Sequence, residues 1–571
     1  MTLDDVKNFR QLGSKTPGHP EYGHTAGVDA TTGPLSQGLA MSVGMAMAEK
    51  HLAAMYNKPG FPVVDHYTYT IIGDGDLMEG LSEESINLAG DKGLSKLIVL
   101  YDSNDVSLDG PLSLSTDENV KERVEAAGWD YFKVDDGNTD VDAIVDAIHQ
   151  AQKTDKPSMI EIKTTIGYGS PQAGTNAVHG SALGDENVAK MRDFFNWELA
   201  PFEFTDEIHQ FFDDAVADKL PAYDAWRKMF KEYADKYPAE ADQLTRKTLK
   251  VDDLTTSYKP GDAIATRVAS HDILQQVAKD NPEFWGGAAD LASSNKTYLA
   301  DDGNFTKDNP AGRNVFFGVR EFGMATAVNG MNLHGGNRAF GSTFFVFTDY
   351  LRAAVRLAAL MKLPSVFIGT HDSIAVGEDG PTHEPIEQLT SFRAMPNLNV
   401  IRPADANETL SAWKLIGKTT DRPTMLVLSR QKLPVLSETV DAPVEKGAYI
   451  VSDSTKDVPD GIILAAGSEV SLALEAKKQL AANGEDVRVV SVPSMNLFDE
   501  QSAEYKESVL PSAVTKRLAV EMGATMSWYK YVGLNGDVMG IDHFGESGKG
   551  PEVIKHLGFT TENVVKAYEA L

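Results

Sequence analysis

The sequence predicts an α/β protein of three doubly wound domains, and three observations carry that expectation. Apolar runs of strand length alternate with amphipathic helical stretches along the whole chain. At 571 residues the chain exceeds what one hydrophobic core accommodates. Finally, Gly73-Asp74-Gly75 turns the chain at the carboxyl end of an apolar run, where an α/β sheet binds its ligands. The regions are placed at 1–200, 201–260 as a connector, 261–436 and 442–571.

In the first region His66 to Ile72 reads as a buried strand. Residues 79 to 92 read as a helix with Leu81, Leu88 and Ala89 on one face and Gly93 as its stop. A second strand, Leu97 to Tyr101, then delivers Asn104, so Asp74 and Asn104 end neighbouring parallel strands. The connector, with Phe211, Phe212 and Trp226 to Phe230 among many charges, reads as helical and laid on the surface. In the second region a helix from Thr348 to Lys362, striped by Leu351, Ala354, Val355 and Ala358, lies between the apolar run Ala339 to Phe347 and the strand Ser365 to Gly369. The third opens with the strand Gly461 to Ala466. A helix with Val470, Ala473, Leu474, Leu480 and Ala481 on one face, Gly484 and the strand Val487 to Val492 follow.

Composition narrows the function. A net charge of -30 argues against nucleic acid and anionic membranes, and obliges any anionic substrate to find cations placed locally. With no cysteine, disulfides, thiolate nucleophiles and Cys-based metal sites are excluded. The amino terminus lacks the apolar core of a signal peptide, and no run of about eighteen apolar residues occurs, so a soluble cytoplasmic protein is expected.

Asn104 follows Asp74 by 30 positions. One carboxylate, one amide oxygen and the main-chain carbonyl of Val106 make half an oxygen shell for magnesium, which fills its octahedron with diphosphate oxygens and water. Gly-Asp-Gly alone is equally a common turn. Glu321, at a strand-to-helix junction among apolar neighbours, suits proton exchange if buried and a helix cap if not. Phe344, Phe347 and Tyr350, at i, i+3 and i+6, form an aromatic stripe that fits core packing or a ring-binding face. His371, Asp379 and His383 converge near a strand end among glycines; solvated loop groups and a transition-metal site are the other readings. Arg267, Ser294 and Arg430 follow apolar runs, as phosphate-binding groups do, although an isolated Arg is commonly a surface charge.

Gly73-Asp74-Gly75 with Asn104 resembles the thiamine diphosphate fingerprint, and the chain is similar to transketolases almost from end to end. The resemblance implies two thiamine diphosphate-binding domains followed by a C-terminal transketolase domain. It implies thiamine diphosphate with magnesium (or calcium or manganese), sugar phosphate substrates, and a homodimer with active sites at its interface. In it Glu321 hydrogen-bonds the aminopyrimidine and promotes loss of the C2 proton, while Phe344, Phe347 and Tyr350 enclose that ring. Gly33 and Leu35 face the diphosphate and thiazolium, Gly75 and Asp290 are further cofactor contacts, and His19 and His179 are donors to substrate and diphosphate. His371 lies toward the sugar's phosphate end, Asp379 toward a hydroxyl and His383 near the reacting carbonyl, with Arg267, Ser294 and Arg430 in the phosphate pocket. Glu79 and Glu84 match a carboxylate network across the dimer interface, or simply favour a helix dipole.

The implied reaction moves a two-carbon ketol unit from xylulose 5-phosphate to ribose 5-phosphate or erythrose 4-phosphate in the pentose phosphate pathway. Another thiamine-dependent two-carbon transferase, such as deoxyxylulose phosphate synthase, is the alternative. Family members begin with roughly eighty further residues carrying Ser-Gly-His-Pro-Gly and Ser-Asn-Gly-His-Gly, neither of which occurs here. Two contacts fewer, a loosened first domain and reduced turnover, or cofactor binding without turnover, are the corresponding expectations.

Overall fold

A computed structural model describes residues 1–571. The chain divides into two compact units, one of residues 1–245, 305–312 and 329–337, the other of 246–304, 313–328 and 338–571.

In the first unit four parallel strands, β1 (Thr68–Gly73), β2 (Leu97–Ser103), β3 (Asp130–Val134) and β4 (Ser158–Lys163), pair in the order β1-β2-β4-β3. The register Thr68↔Leu97 to Gly73↔Asp102 ends β1 and β2 together, so Asp74 and Asn104 leave the sheet side by side. The β1 segment is not the fully buried strand its composition suggests. It lies at the sheet edge, and Tyr69 and Ile71 on its outer face are 45% and 76% exposed. Helix α1 (Gln37–Tyr56) buries residues all around its circumference, whereas α2 (Asp74–Met78) and α3 (Gly80–Lys92) follow β1 directly. The expected stop is present: Gly93 closes α3 in the left-handed region at φ 58°.

The connector is helical, as α4 (Asp206–Ala217), α5 (Leu220–Lys236) and α6 (Pro238–Thr245), but only partly a surface layer. Phe211 and Phe212 are exposed. Tyr233 is fully buried, however, its hydroxyl donating to the Tyr56 carbonyl at 2.9 Å, and Trp226 Nε1 donates to the Val63 carbonyl at 3.1 Å. Beyond α6, Leu249, Val251 and Leu254 enter the core of the second unit. Aromatic residues with polar tips satisfy both environments, so charge density alone misplaced this segment.

The second unit holds two sheets. Strands β5 (Phe284–Ala288), β6 (Asn314–Phe316), β7 (Arg338–Phe344), β8 (Val366–Thr370), β9 (Asn399–Ile401) and β10 (Thr424–Leu428) form an all-parallel sheet ordered β9-β10-β8-β7-β5-β6. Helix α7 (Glu321–His334) follows β6, and α8 (Thr348–Leu360) follows β7 with the expected stripe buried. The last sheet, β11 (Tyr449–Ser452), β12 (Gly461–Ala465), β13 (Val487–Ser491), β14 (Arg517–Val520) and β15 (Asp537–Met539), is ordered β11-β13-β12-β14-β15; only β11 runs antiparallel. Helix α9 (Glu469–Ala482) follows β12. One apolar cluster, from Phe284, Phe340 and Trp413 to Ile463, Val489 and Tyr568, is continuous across both sheets.

Glu408 crosses the same junction, accepting hydrogen bonds from Ala404 N, Tyr449 Oη and Ser491 Oγ at 2.6 to 2.8 Å. Burial, reinforced by the charge of Asp405, pushes its carboxyl up to about 7 from 4.5. Between those values the folded chain holds a proton that the unfolded chain releases, so stability falls as pH rises through this window. Thermal melts at about pH 5 and about pH 7.5 should show this loss, and Glu408→Gln should reduce it. An unchanged pH slope in the variant would assign the proton elsewhere.

Candidate active site

Two groups of candidate side chains stand out, one in each unit. In the first, Asp74 is 4% exposed; the Tyr101 hydroxyl donates to its Oδ1 and the Asp105 N–H to its Oδ2 at 3.0 Å. Burial raises its pKa, while the donors from Tyr101, Asp105 and Asn104 oppose that rise. Such a carboxylate gains most from a cation that offsets its lost hydration. Asn104 is half-buried, its Oδ1 accepting from Val106 N at 3.2 Å across a turn set by Asp105 at φ 60°. No group of three or more His, Asp or Glu side chains is arranged to hold a metal. A hard cation here would draw on one carboxylate and on amide and carbonyl oxygens, a donor set that fits magnesium beside a diphosphate.

Two expected cofactor loops meet this turn. A Cβ on Gly75 would stand 3.2 Å from Leu35 Cδ1, and one on Gly33, at φ 127°, would stand 2.9 Å from the His19 ring. Asp76 ties them together: its Oδ1 accepts from Ser36 N at 2.6 Å and its Oδ2 from Gly73 N at 2.9 Å. Sequence reading missed this residue and Tyr101. The only sequence signal was a second acid in Gly-Asp-Gly-Asp, because the Ser36 partner lies 40 positions away. His179 and Glu79 are exposed on this unit and Glu84 is half-buried.

In the second unit Glu321 is half-buried at the first position of α7, and burial raises its pKa. The aromatic stripe is core at one end and open at the other. Phe345 packs on Phe392 with ring centroids 6.1 Å apart and is fully buried, Phe344 is only 9% exposed, and half-buried Phe347 and exposed Tyr350 lead out to an open face. There Phe344 and Phe347 lie parallel at 6.0 Å, Phe347 meets Tyr350 edge-on at 6.4 Å, and Tyr350 is 68% exposed. His371 and His383 complete the face, 3.7 Å from Phe344 and 5.2 Å from Phe347 respectively, centroid to centroid.

A hydrogen-bond chain fixes the His371 tautomer. Thr370 Oγ1 spends its proton on Asn295 Oδ1 at 2.6 Å and so accepts from His371 Nδ1 at 2.8 Å. His371 Nε2 is then an acceptor, facing Arg267 Nη1 at 3.4 Å. Burial, together with Arg267, Arg430 and His383, pushes this imidazole down to about 3, so it is neutral. Arg267 also donates to the Ser294 carbonyl at 2.6 Å, and its Nε is buried without a hydrogen-bond partner. Burial and the nearby Arg430 both disfavour its charge. Two guanidiniums that repel each other, one lacking a partner for a buried N–H, have the chemistry to hold a phosphate. Asp379 and Asp290 are exposed, Asp290 at φ 59°, and neither joins this chain by a hydrogen bond.

Turns at paired strand ends on one parallel sheet and an aromatic and carboxylate face on a second are the two candidate halves of a cofactor site in an α/β protein with a third sheet. Residues 1–252 match the family described as "Transketolase, thiamine diphosphate binding domain", residues 262–435 the transketolase pyrimidine binding domain, and residues 447–560 the transketolase-like C-terminal domain. Transketolase of Bacillus subtilis is 54% identical and that of Geobacillus stearothermophilus 53%, each alignment covering 100% of this chain and 87% of the relative. Solved transketolases of Leishmania mexicana (42% identical, covering 100% of this chain and 85% of that one) and Pichia stipitis with sedoheptulose 7-phosphate (41%, 100% and 86%) superpose with a TM-score of 0.96. The chain belongs to the transketolase family, transferases that use thiamine diphosphate.

Proposed function

We propose that this transketolase takes its two-carbon unit from xylulose 5-phosphate and passes it to ribose 5-phosphate or erythrose 4-phosphate, as a cytoplasmic homodimer of the pentose phosphate pathway. The observation that carries this reading is the Arg267–Arg430 pair beside neutral His371, which gives a phosphate monoester its counter-charge in a chain of net charge -30. A dianion brought there cancels the repulsion between the two guanidiniums and offsets the smaller, charge-based part of what holds His371 neutral, burial being the larger part. A relative in Pichia stipitis was solved with xylulose 5-phosphate, which supports the donor.

Asp74, Asn104 and the Val106 carbonyl would hold magnesium, with Gly33 and Leu35 against the diphosphate and thiazolium and with Gly75 and Asp290 as further cofactor contacts. Bound thiamine diphosphate supplies the electron sink for breaking a carbon–carbon bond next to a carbonyl. Glu321, its proton favoured by burial, serves the aminopyrimidine nitrogen, and Phe344, Phe347 and Tyr350 exclude water from that ring. His383 and His179 exchange protons with the sugar's oxygens, Asp379 orients a hydroxyl, His19 contacts the sugar, and Ser294 and His371 position its phosphate end. Glu79 and Glu84 belong to a carboxylate network between subunits. The domain limits 1–200, 261–436 and 442–571, with the 201–260 connector, complete this reading.

A coupled assay with xylulose 5-phosphate and ribose 5-phosphate should show turnover, and the same protein with pyruvate and an aldose phosphate should show none. Turnover with pyruvate alone would instead indicate a decarboxylating synthase.

A further inference from the structure

The third sheet has its ligand crevice filled from within the chain. In an open α/β sheet ligands bind beyond the carboxyl ends of the strands where the strand order reverses. Here that place lies beyond β12 and β14, and the Arg402 guanidinium sits in it. Arg402 follows β9 of the second sheet and is fully buried. Its Nη1 donates to the Ala466 carbonyl at 3.0 Å and to Glu469, lies 3.3 Å from Glu521 Oε1, and its Nη2 lies 3.3 Å from Ser468 Oγ. Gly467, at φ +60°, admits it: a Cβ there would stand 2.7 Å from Arg402 Cζ. Glu521 is held in turn by Arg393, at 2.5 and 2.8 Å, and by Trp528 Nε1 at 2.7 Å.

The remaining face of the guanidinium reaches the active site. Arg402 Nε donates to Asp372 Oδ2 at 2.9 Å, both side chains being almost wholly buried. Asp372 follows His371, which stands in the left-handed region at φ 63°, a conformation that costs free energy for any residue but glycine and persists where its surroundings enforce it. Thr370 grips the imidazole from one side, and the Arg402–Asp372 pair fixes the backbone immediately beyond it.

We infer that Asp372 and Arg402 are positioning residues, and that residues 442–571 serve the reaction by clamping Arg402 so that His371 keeps its strained, substrate-facing conformation. This rests on the reading of His371 as a contact for the sugar's phosphate end. The test compares KM for xylulose 5-phosphate with KM for unphosphorylated xylulose in holoenzyme variants.

Asp372→Asn, which keeps the shape and loses the charge, and Gly467→Ala, which displaces the guanidinium, should each raise the ratio of the two KM values roughly tenfold. In a His371→Ala background Asp372→Asn should add nothing to that ratio, because both act through one group. If Asp372→Asn does not fold, Gly467→Ala carries the same comparison in both backgrounds. An ion cluster that only joined the sheets would alter stability and leave the ratio at its wild-type value, and that result, or full additivity with His371→Ala, overturns the inference. A wild-type ratio in His371→Ala itself would overturn the phosphate reading of His371 and the inference with it.

Discussion

Replacing Glu321 by alanine is expected to leave thiamine diphosphate binding nearly intact while slowing exchange of its C2 proton by about two to four orders of magnitude, the usual cost of removing a positioned acid–base group. The two effects separate because different residues cause them. Ring enclosure depends on the face made by Phe344 and Phe347, which keeps its geometry because Phe345 anchors the same segment in the core. Proton exchange depends on a carboxyl whose charged form is disfavoured by burial at the start of α7. Glu321→Gln, which retains a hydrogen-bonding side chain but no exchangeable acid, should show the same split. Exchange at the wild-type rate in either variant would assign Glu321 to helix capping.

Asp74→Ala is expected to abolish both divalent-metal dependence and tight cofactor binding, with an affinity loss of at least about a hundredfold. Asp74 is the one buried carboxylate at the paired ends of β1 and β2, and its two oxygens are oriented by Tyr101 and Asp105. Titration followed by tryptophan fluorescence should show the wild type losing affinity on chelation and the variant insensitive to chelator. An unchanged cofactor affinity in the variant would remove the metal from this turn.

The parts of the site legible in the sequence were those set by short-range spacing. A strand, a Gly-Asp-Gly turn, a helix with Gly93 as stop and a second strand fix where Asp74 and Asn104 emerge, and the β1–β2 register delivers them together. What escaped depends on partners distant in sequence. The exposure of Tyr69 and Ile71 follows from the edge position of β1, which only the sheet order determines. Asp76 joins a loop 40 positions earlier, and Arg402 meets Glu521 across 119 positions. In the run Phe344-Phe345-Val346-Phe347 the periodicity marked an aromatic face without telling the core side from the open one, since Phe345 interrupts the stripe. The burial of Tyr233 in the connector escaped because a tyrosine among charges can bury its ring and still satisfy its hydroxyl.

The most direct test of the proposed homodimer, in which the Asp74 group of one subunit and the Glu321 group of its partner would make one active site, is the transketolase activity of mixed dimers. Asp74→Ala and Glu321→Ala proteins, each inactive alone, are dissociated, combined in equal amounts and reassembled. With sites shared between subunits, half of the dimers are mixed and each mixed dimer holds one site with both groups intact, so activity should recover to about a quarter of wild type. No recovery above the two parent variants would contradict the claim and place each complete site within a single chain.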